Sequence, residues 1–366
     1  MILEYASALS PKLNLTENNH GLGIVMPAET ARALIQPTAE SIADDLTLQT
    51  DVVANPNPTK GEHLIHVQTC SPCAGELSWP KNFPPSTDRL LIPCPDVSGT
   101  VVSAPPDSPF QPGAEIYART NYVRPGNARD FTIATTDELA FKPKRLTWVE
   151  AAAVPVSAET AWQILFINAG IVPPEGVMDI PKARAAWKNK RILVTAASGG
   201  VGLWIVQLAA KVLGVEVIGT CGPDNIDLVR SMGAKDAVNY RVTDLKAWVE
   251  EENGRLVDVV VDCIGGRALQ DAWWTVKEKG TVVSIFQPPR TVCPWKNPNT
   301  RGVKDIFFVM QPSGTQLGAV GELIESGLCK GRVDSVWPLE QFRPAFERLA
   351  TGHASGKIVF DLCLNR

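Results

Sequence analysis

RILVTAASGGVGLWIVQLAAKVLGVEVIGTCGPDNIDLVRSMGAKDAVNY, residues 191–240, is a strand, a glycine-rich turn, a helix and a second strand in succession. Ile192-Leu193-Val194-Thr195 is a short apolar run of the kind that forms a buried parallel strand. The turn Ala197-Ser198-Gly199-Gly200-Val201-Gly202 opens a helix whose apolar residues Leu203, Val206, Leu208, Ala209 and Val212 recur at helical spacing. Val215–Thr220 is the next strand. Such a turn lets backbone N–H groups and a helix N-terminus face a pyrophosphate with no side chain in the way. Alanine stands at the first position of the usual G-x-G-x-x-G, so the pattern alone is a modest signal. Its strand–turn–helix–strand setting makes it a strong one. The competing reading is a turn that only tightens packing.

The rest of the chain sets the frame. At 366 residues it accommodates two domains. The 45% hydrophobic and 20% charged shares are those of a globular protein rather than a disordered or membrane one. A net charge of −4 gives no reason to expect nucleic acid or an anionic membrane as partner. No apolar run approaches membrane-spanning length. The first residues lack the basic region and apolar core of a secretory signal. Eight scattered cysteines suggest reduced thiols inside a cell, and the cytosol is the expected address.

Residues 1–30 read as a turn-rich extension. Short strands broken by Pro and Gly then run to about 156, implying a mostly antiparallel first domain over 1–156. From Ala158 strands and helices alternate, as a parallel doubly wound sheet requires, giving a dinucleotide-binding domain over 157–296. Residues 297–366, with strands expected at 305–309 and 357–362, read as a return to the first domain.

AASGGVG (196–202), LVRSMGAKDAVNY (228–240), VDVVVDCIGG (257–266), GTVVSI (280–285), LTWVEAAAVPVSAETAWQILF (146–166) and SGKIVF (355–360) lie in one order that resembles the medium-chain dehydrogenase/reductase superfamily. Within it the chain is similar to the zinc-free quinone oxidoreductase and enoyl reductase branch. TNYVRPGNARDF (120–131) and the extension resemble a fungal subgroup, some of whose members act in secondary metabolism. The resemblance implies an α/β fold: a Rossmann doubly wound parallel sheet plus a GroES-like β domain, with the active site in the cleft between them. It also implies a possible homodimer, paired through the strand at 305–309.

Cys70-Ser71-Pro72-Cys73 invites a metal reading, yet one C-x-x-C is half a site. By resemblance, Cys73 stands where zinc alcohol dehydrogenases carry their first ligand. The histidine position falls in Cys94-Pro95-Asp96 and the third ligand near Val156. No metal is expected.

The resemblance places the cofactor against Thr160, Ser198, Gly199, Gly200, Val201 and Gly202. Thr220, Gly222, Asn225 and Tyr240 would surround the adenosine end. Cys263, Ile264, Gly265, Ile285 and Phe286 would approach the nicotinamide side, Phe308 and Val309 its carboxamide, and Lys357 the pyrophosphate. The second strand ends Gly219-Thr220-Cys221-Gly222 without the carboxylate that NAD-binding chains use. NADPH is therefore favoured, although a lysine of NADP-type members is Asn225 here and NADH stays open. Thr160 has a competing reading as a helix hydroxyl bonded to backbone, and Arg230 and Arg241 read equally as plain surface charges. The implied chemistry is hydride transfer to the activated C=C of an enone or enoyl substrate, or to a quinone. The substrate would be a small free molecule, since no basic cluster marks a docking site for a carrier. Glu76, Ser78, Asp96, Tyr117 and Tyr122 are possible proton donors, and none is assigned. The alternatives are a redox-neutral isomerase or cyclase and a non-catalytic dinucleotide-binding protein.

Overall fold

The computed structural model describes residues 31–364 except 87, 295, 296, 298 and 299, together with two short strands before residue 31. Most of the expected 1–30 extension therefore lies outside the described residues. Two hairpins come first: β1 (Leu15–Asn18) with β2 (Gly21–Ile24), and β3 (Ala33–Ile35) with β4 (Thr47–Gln49). Then follow β5 (Glu62–Ser71), β6 (Asp96–Ser103), β7 (Glu115–Arg119), β8 (Phe131–Thr135) and β9 (Leu139–Phe141). In β5 His63, Ile65, Val67 and Thr69 are buried and alternate with half-buried neighbours, the period-two pattern of a sheet with one face on a core.

The second sheet contains β10 (Arg191–Val194), β11 (Glu216–Cys221), β12 (Asp236–Asn239), β13 (Val257–Asp262), β14 (Val276–Ser284) and β15 (Lys304–Phe307). All pairings are parallel, in the order β12-β11-β10-β13-β14-β15. Ile192, Leu193, Val194, Val259, Val260 and Val261 are fully buried, because helices cover both faces. Helix Pro155–Gln163 lies beside helix Gly200–Gln207, and their Ala161, Trp162, Leu203 and Ile205 share one core with β10 and β13.

Two strands close the chain, β16 (Val333–Pro338) and β17 (Lys357–Asp361), and β17 pairs antiparallel with β5. They make the first sheet seven-stranded, in the order β16-β17-β5-β6-β7-β9 with β8 on β5. The expected pairing of a doubly wound parallel sheet with a β domain is borne out. Residues 304–307, placed beyond the expected boundary at 296, pair with β14, so the return to the first sheet comes only with β16. Helix Gly266–Ala272 ends four residues before β14, which starts at Val276.

Candidate active site: a dinucleotide cleft beside a buried lysine

Chain order reverses between β10 and β13, which leaves a crevice beyond their carboxyl ends. The glycine turn sits at its centre. Gly199 caps helix Gly200–Gln207 in an extended conformation, and its carbonyl accepts the Leu203 N–H at 2.9 Å. A Cβ on Gly202 would stand 2.2 Å from the Ala196 carbonyl oxygen, so only glycine lets the helix start this close to the turn. Ala197 fits the first position, where it is fully buried and donates its N–H to the Thr220 carbonyl at 2.9 Å. Ser198, Gly199, Gly200 and Val201 stay half-exposed toward the crevice.

Asp262 ties the strand ends together. Its fully buried carboxylate accepts the Thr195 hydroxyl (2.8 Å) from behind β10, the Ser284 hydroxyl (2.8 Å) from β14 and the Gly265 N–H (2.9 Å). Gly265 lies at φ +75°, and a Cβ there would meet the Phe286 ring at 2.2 Å. A side chain at this position would fill the floor of the crevice.

Large apolar side chains stand exposed around this rim: Phe286 at 64%, Val309 at 55%, Tyr240 at 51% and Ile264 at 46%. Cys263, Ile285 and Phe308 are half-buried beside them. A glycine cradle under a helix N-terminus, ringed by exposed apolar groups, fits a dinucleotide with a flat ring at each end. At the far edge Gly222 follows β11, and a Cβ there meets nothing within 4 Å. Asn225 Oδ1 lies 3.4 Å from Ser355 Oγ, and Arg230 pairs with Asp236 at 3.0 Å.

Two expected contacts are turned elsewhere. Thr160 is buried and its hydroxyl donates to the Val156 carbonyl at 2.6 Å. The Lys357 stem passes Gly200, but its ammonium points away from the turn. It donates to the Pro72 carbonyl (2.6 Å), lies 3.0 Å from Asp96 Oδ2 and reaches Cys73 Sγ at 3.4 Å. Removing an unpaired ammonium from water would cost several kcal/mol, which these partners offset. Burial pulls the Lys357 pKa down, but neighbouring Cys73, Asp96 and Glu76 prevail and hold it above the usual lysine value. Burial pushes the Cys73 thiol up to about 12 despite that ammonium.

This arrangement bears on zinc. Of the three expected ligand positions only Cys73 offers a donor atom, Pro95 and Val156 offer none, and a cation already stands beside the sulfur. Among the described residues no group of three or more His, Cys, Asp or Glu is arranged to hold a metal ion. The residues present do not fit a catalytic zinc.

The possible proton donors are mostly engaged. Ser78 donates to the Gly75 carbonyl, and Tyr117 lies in the core with its hydroxyl on the Leu317 carbonyl. Glu76 accepts the Cys73 and Cys94 N–H groups, each at 3.1 Å, and burial raises its pKa to about 7. The Tyr122 hydroxyl is buried without a hydrogen-bond partner.

Residues 232–360 match a family model described as zinc-binding dehydrogenase. A probable zinc-binding oxidoreductase, mitochondrial, of Arthroderma benhamiae is 50% identical over 87% of this chain and 94% of its own. A chloroplast envelope quinone oxidoreductase homolog of Arabidopsis thaliana is 32% identical over 77% of this chain and 81% of its own. The quinone oxidoreductase of Coxiella burnetii shares the fold, with a TM-score of 0.74 at 23% identity over 91% of this chain and all of that one. These relatives overturn the expected cytosolic address, since their names place them in mitochondria and chloroplasts. A basic region followed by an apolar core marks only secretory leaders, so its lack does not bear on organellar import. Among the described residues no helix is long and apolar enough to cross a membrane. Glycine turn, crevice and relatives agree: the chain belongs to the medium-chain dehydrogenase/reductase superfamily, among its quinone oxidoreductases, and is an oxidoreductase that works with a nicotinamide dinucleotide.

Proposed function

We propose that this chain is a zinc-independent reductase that uses NADPH to reduce the activated C=C of an enone or enoyl substrate, or a quinone. The observation that carries the NADPH preference is the end of β11. No carboxylate stands at Thr220-Cys221-Gly222 to hold ribose hydroxyls, and the space beside Gly222 is open to a 2′-phosphate. Asn225, Tyr240 and the exposed Arg241 lie around that space.

The dinucleotide supplies the hydride. The glycine turn and helix N-terminus hold the pyrophosphate, and Cys263–Gly265, Ile285, Phe286, Phe308 and Val309 wall the nicotinamide. Asp262 fixes the spacing of those walls by binding three strand ends together. With Cys73 the only donor at the three expected ligand positions, the reaction proceeds without a Lewis acid, which favours conjugate reduction over alcohol oxidation. A small free substrate fits this reading, and a tailoring step in secondary metabolism is its narrowest form. A second copy would pair through β15, the open edge of the parallel sheet.

The test follows reduced-nicotinamide absorbance with NADPH and NADH in parallel against quinones, enones and enoyl thioesters. Oxidation of NADPH by one acceptor class is expected. Oxidation of neither cofactor would sink the proposal in favour of a binding or redox-neutral role.

A further inference from the structure

Arg119 closes β7 with its side chain pointing into the first domain. It is 5% exposed, and its guanidinium forms no hydrogen bond or ion pair with any described residue; its Nε is buried without a partner. Three carboxyl groups lie near enough to act on its charge, and none forms an ion pair with it. Asp96 is paired with Lys357 and accepts the Val156 N–H at 2.7 Å. Glu138 is paired with Arg124 and accepts the Asn121 and Thr135 N–H groups, each at 2.8 Å. Glu159 accepts the Ser313 N–H at 2.6 Å through Oε1, its Oε2 is buried without a partner, and burial raises its pKa well above the ordinary carboxylate value.

Arg119 lines a pocket of about 430 Å³ of empty space, part of it open to solvent. Arg89, Arg124 and Tyr122 line it too; both arginine Nε atoms are buried without partners, and the buried Tyr122 hydroxyl, beside the Arg89 guanidinium, has no acceptor for its proton. Glu76 is the one acid on the wall. Its oxygens are occupied by two backbone N–H groups, and burial keeps much of it protonated near neutral pH. Four unsatisfied donors around one cavity are what an absent anion would leave behind. A planar guanidinium matches a carboxylate or phosphate through two parallel N–H···O bonds.

We propose that this pocket is an oxyanion subsite with Arg119 as its clamp and Tyr122 as a neutral donor. Its ligand is a carboxylate or phosphate group, carried by the acceptor substrate or present as a free ion. Pro95 on its wall borders Asp96 and so the Lys357–Cys73 cluster, which puts the anion beside the expected reaction site. The substrate arm rests on the reductase reading; the anion-binding arm does not.

Full-length protein without dinucleotide is titrated with benzoate and with inorganic phosphate, following heat and melting temperature. Saturable binding with a rise in melting temperature is expected. Arg119→Met is expected to weaken binding at least about tenfold. In anion-free buffer it should melt higher than wild type, because an unpaired buried charge has been removed. An arginine kept for structure alone would give the opposite sign. Arg119→Lys keeps the charge without the fork and should retain part of the binding. No saturable binding by wild type, or equal binding by Arg119→Met, overturns the proposal. Should Arg119→Met fail to fold, the wild-type titration and Arg119→Lys decide it.

A second arm compares 4-(3-oxobut-1-enyl)benzoate with its methyl ester as acceptors. A higher kcat/KM for the free acid, lost in Arg119→Met, assigns the subsite to the substrate's own carboxylate. Equal values with anion binding intact assign it to a free ion. Reduction of neither compound counts against the reductase reading and leaves the titration result standing.

Discussion

The crevice at the strand ends and the arginine-lined pocket of the first domain are opposite solutions to placing polar groups out of water. In the crevice the buried polar groups satisfy one another: Asp262 collects two hydroxyls and a backbone N–H, and the glycine turn is held by backbone bonds. Only apolar rims and an open turn are offered to a ligand. In the pocket the arrangement is reversed, since Arg119, Arg89, Arg124 and Tyr122 all retain buried donors without acceptors. A satisfied site is rigid without its ligand; an unsatisfied one is strained without it. Substitutions should therefore change stability with opposite signs in the two places.

The strongest break on the crevice side is Asp262→Ala, which strands the Thr195 and Ser284 hydroxyls and the Gly265 N–H at once. It should cost about 4 kcal/mol of unfolding free energy, read by denaturant titration; a cost under about 1 kcal/mol would show that the strand ends do not depend on it. Next comes Gly202→Ala, whose new Cβ would collide with a backbone carbonyl that has no rotamer to escape by. A shift of about 3 kcal/mol, a hundredfold or more in NADPH affinity by fluorescence titration, is expected.

On the pocket side Glu76 offers a pH test. Its pKa lies near 7, above the 4.5 of an exposed glutamate, because burial disfavours its charge. The folded protein thus holds a proton that the unfolded chain releases. This contribution is complete below about pH 4.5 and is lost as pH rises through about 7. Wild type should lose roughly 2 kcal/mol relative to Glu76→Gln between those values. Parallel melting curves of the two proteins would show that this carboxyl is not buried in solution. The smallest expected effect sharpens the cofactor assignment. Gly222→Asp places a carboxylate in the open space after β11 and should weaken NADPH about tenfold while leaving NADH unchanged or tighter. Equal weakening of both would mean that the position does not read the 2′-phosphate.

The crevice was legible in the sequence because backbone builds it. A turn, a helix start and apolar strands leave periodic signals over 191–240, and residues 198–202 and 263–265, Thr220, Gly222, Ile285 and Phe286 stand at or just past the carboxyl ends of one parallel sheet, whereas Thr160 and Lys357 lie on other elements. Side-chain direction was not legible, so the Lys357 ammonium was expected at the pyrophosphate and lies against Cys73 and Asp96. Strands with mixed surfaces also escaped notice. β16 carries partly exposed polar residues at a sheet edge, and the Lys277-Glu278-Lys279-Gly280 run inside β14 looks like a turn. Of the pocket, Glu76 and Tyr122 stood out in the sequence, but as possible proton donors rather than as anion ligands. Arg89 is separated from Arg119 and Arg124 by β6, so the three form no basic run in the sequence and meet only when β6 and β7 pair.

The most direct measurement of the central claim uses NADPH carrying deuterium at the transferable C4 position, with an enone as acceptor. Mass spectrometry and NMR of the product should find one deuterium on the β-carbon, unchanged when the protein has first been treated with a chelator. Product without deuterium, or activity that disappears with the metal, would contradict a zinc-independent hydride transfer.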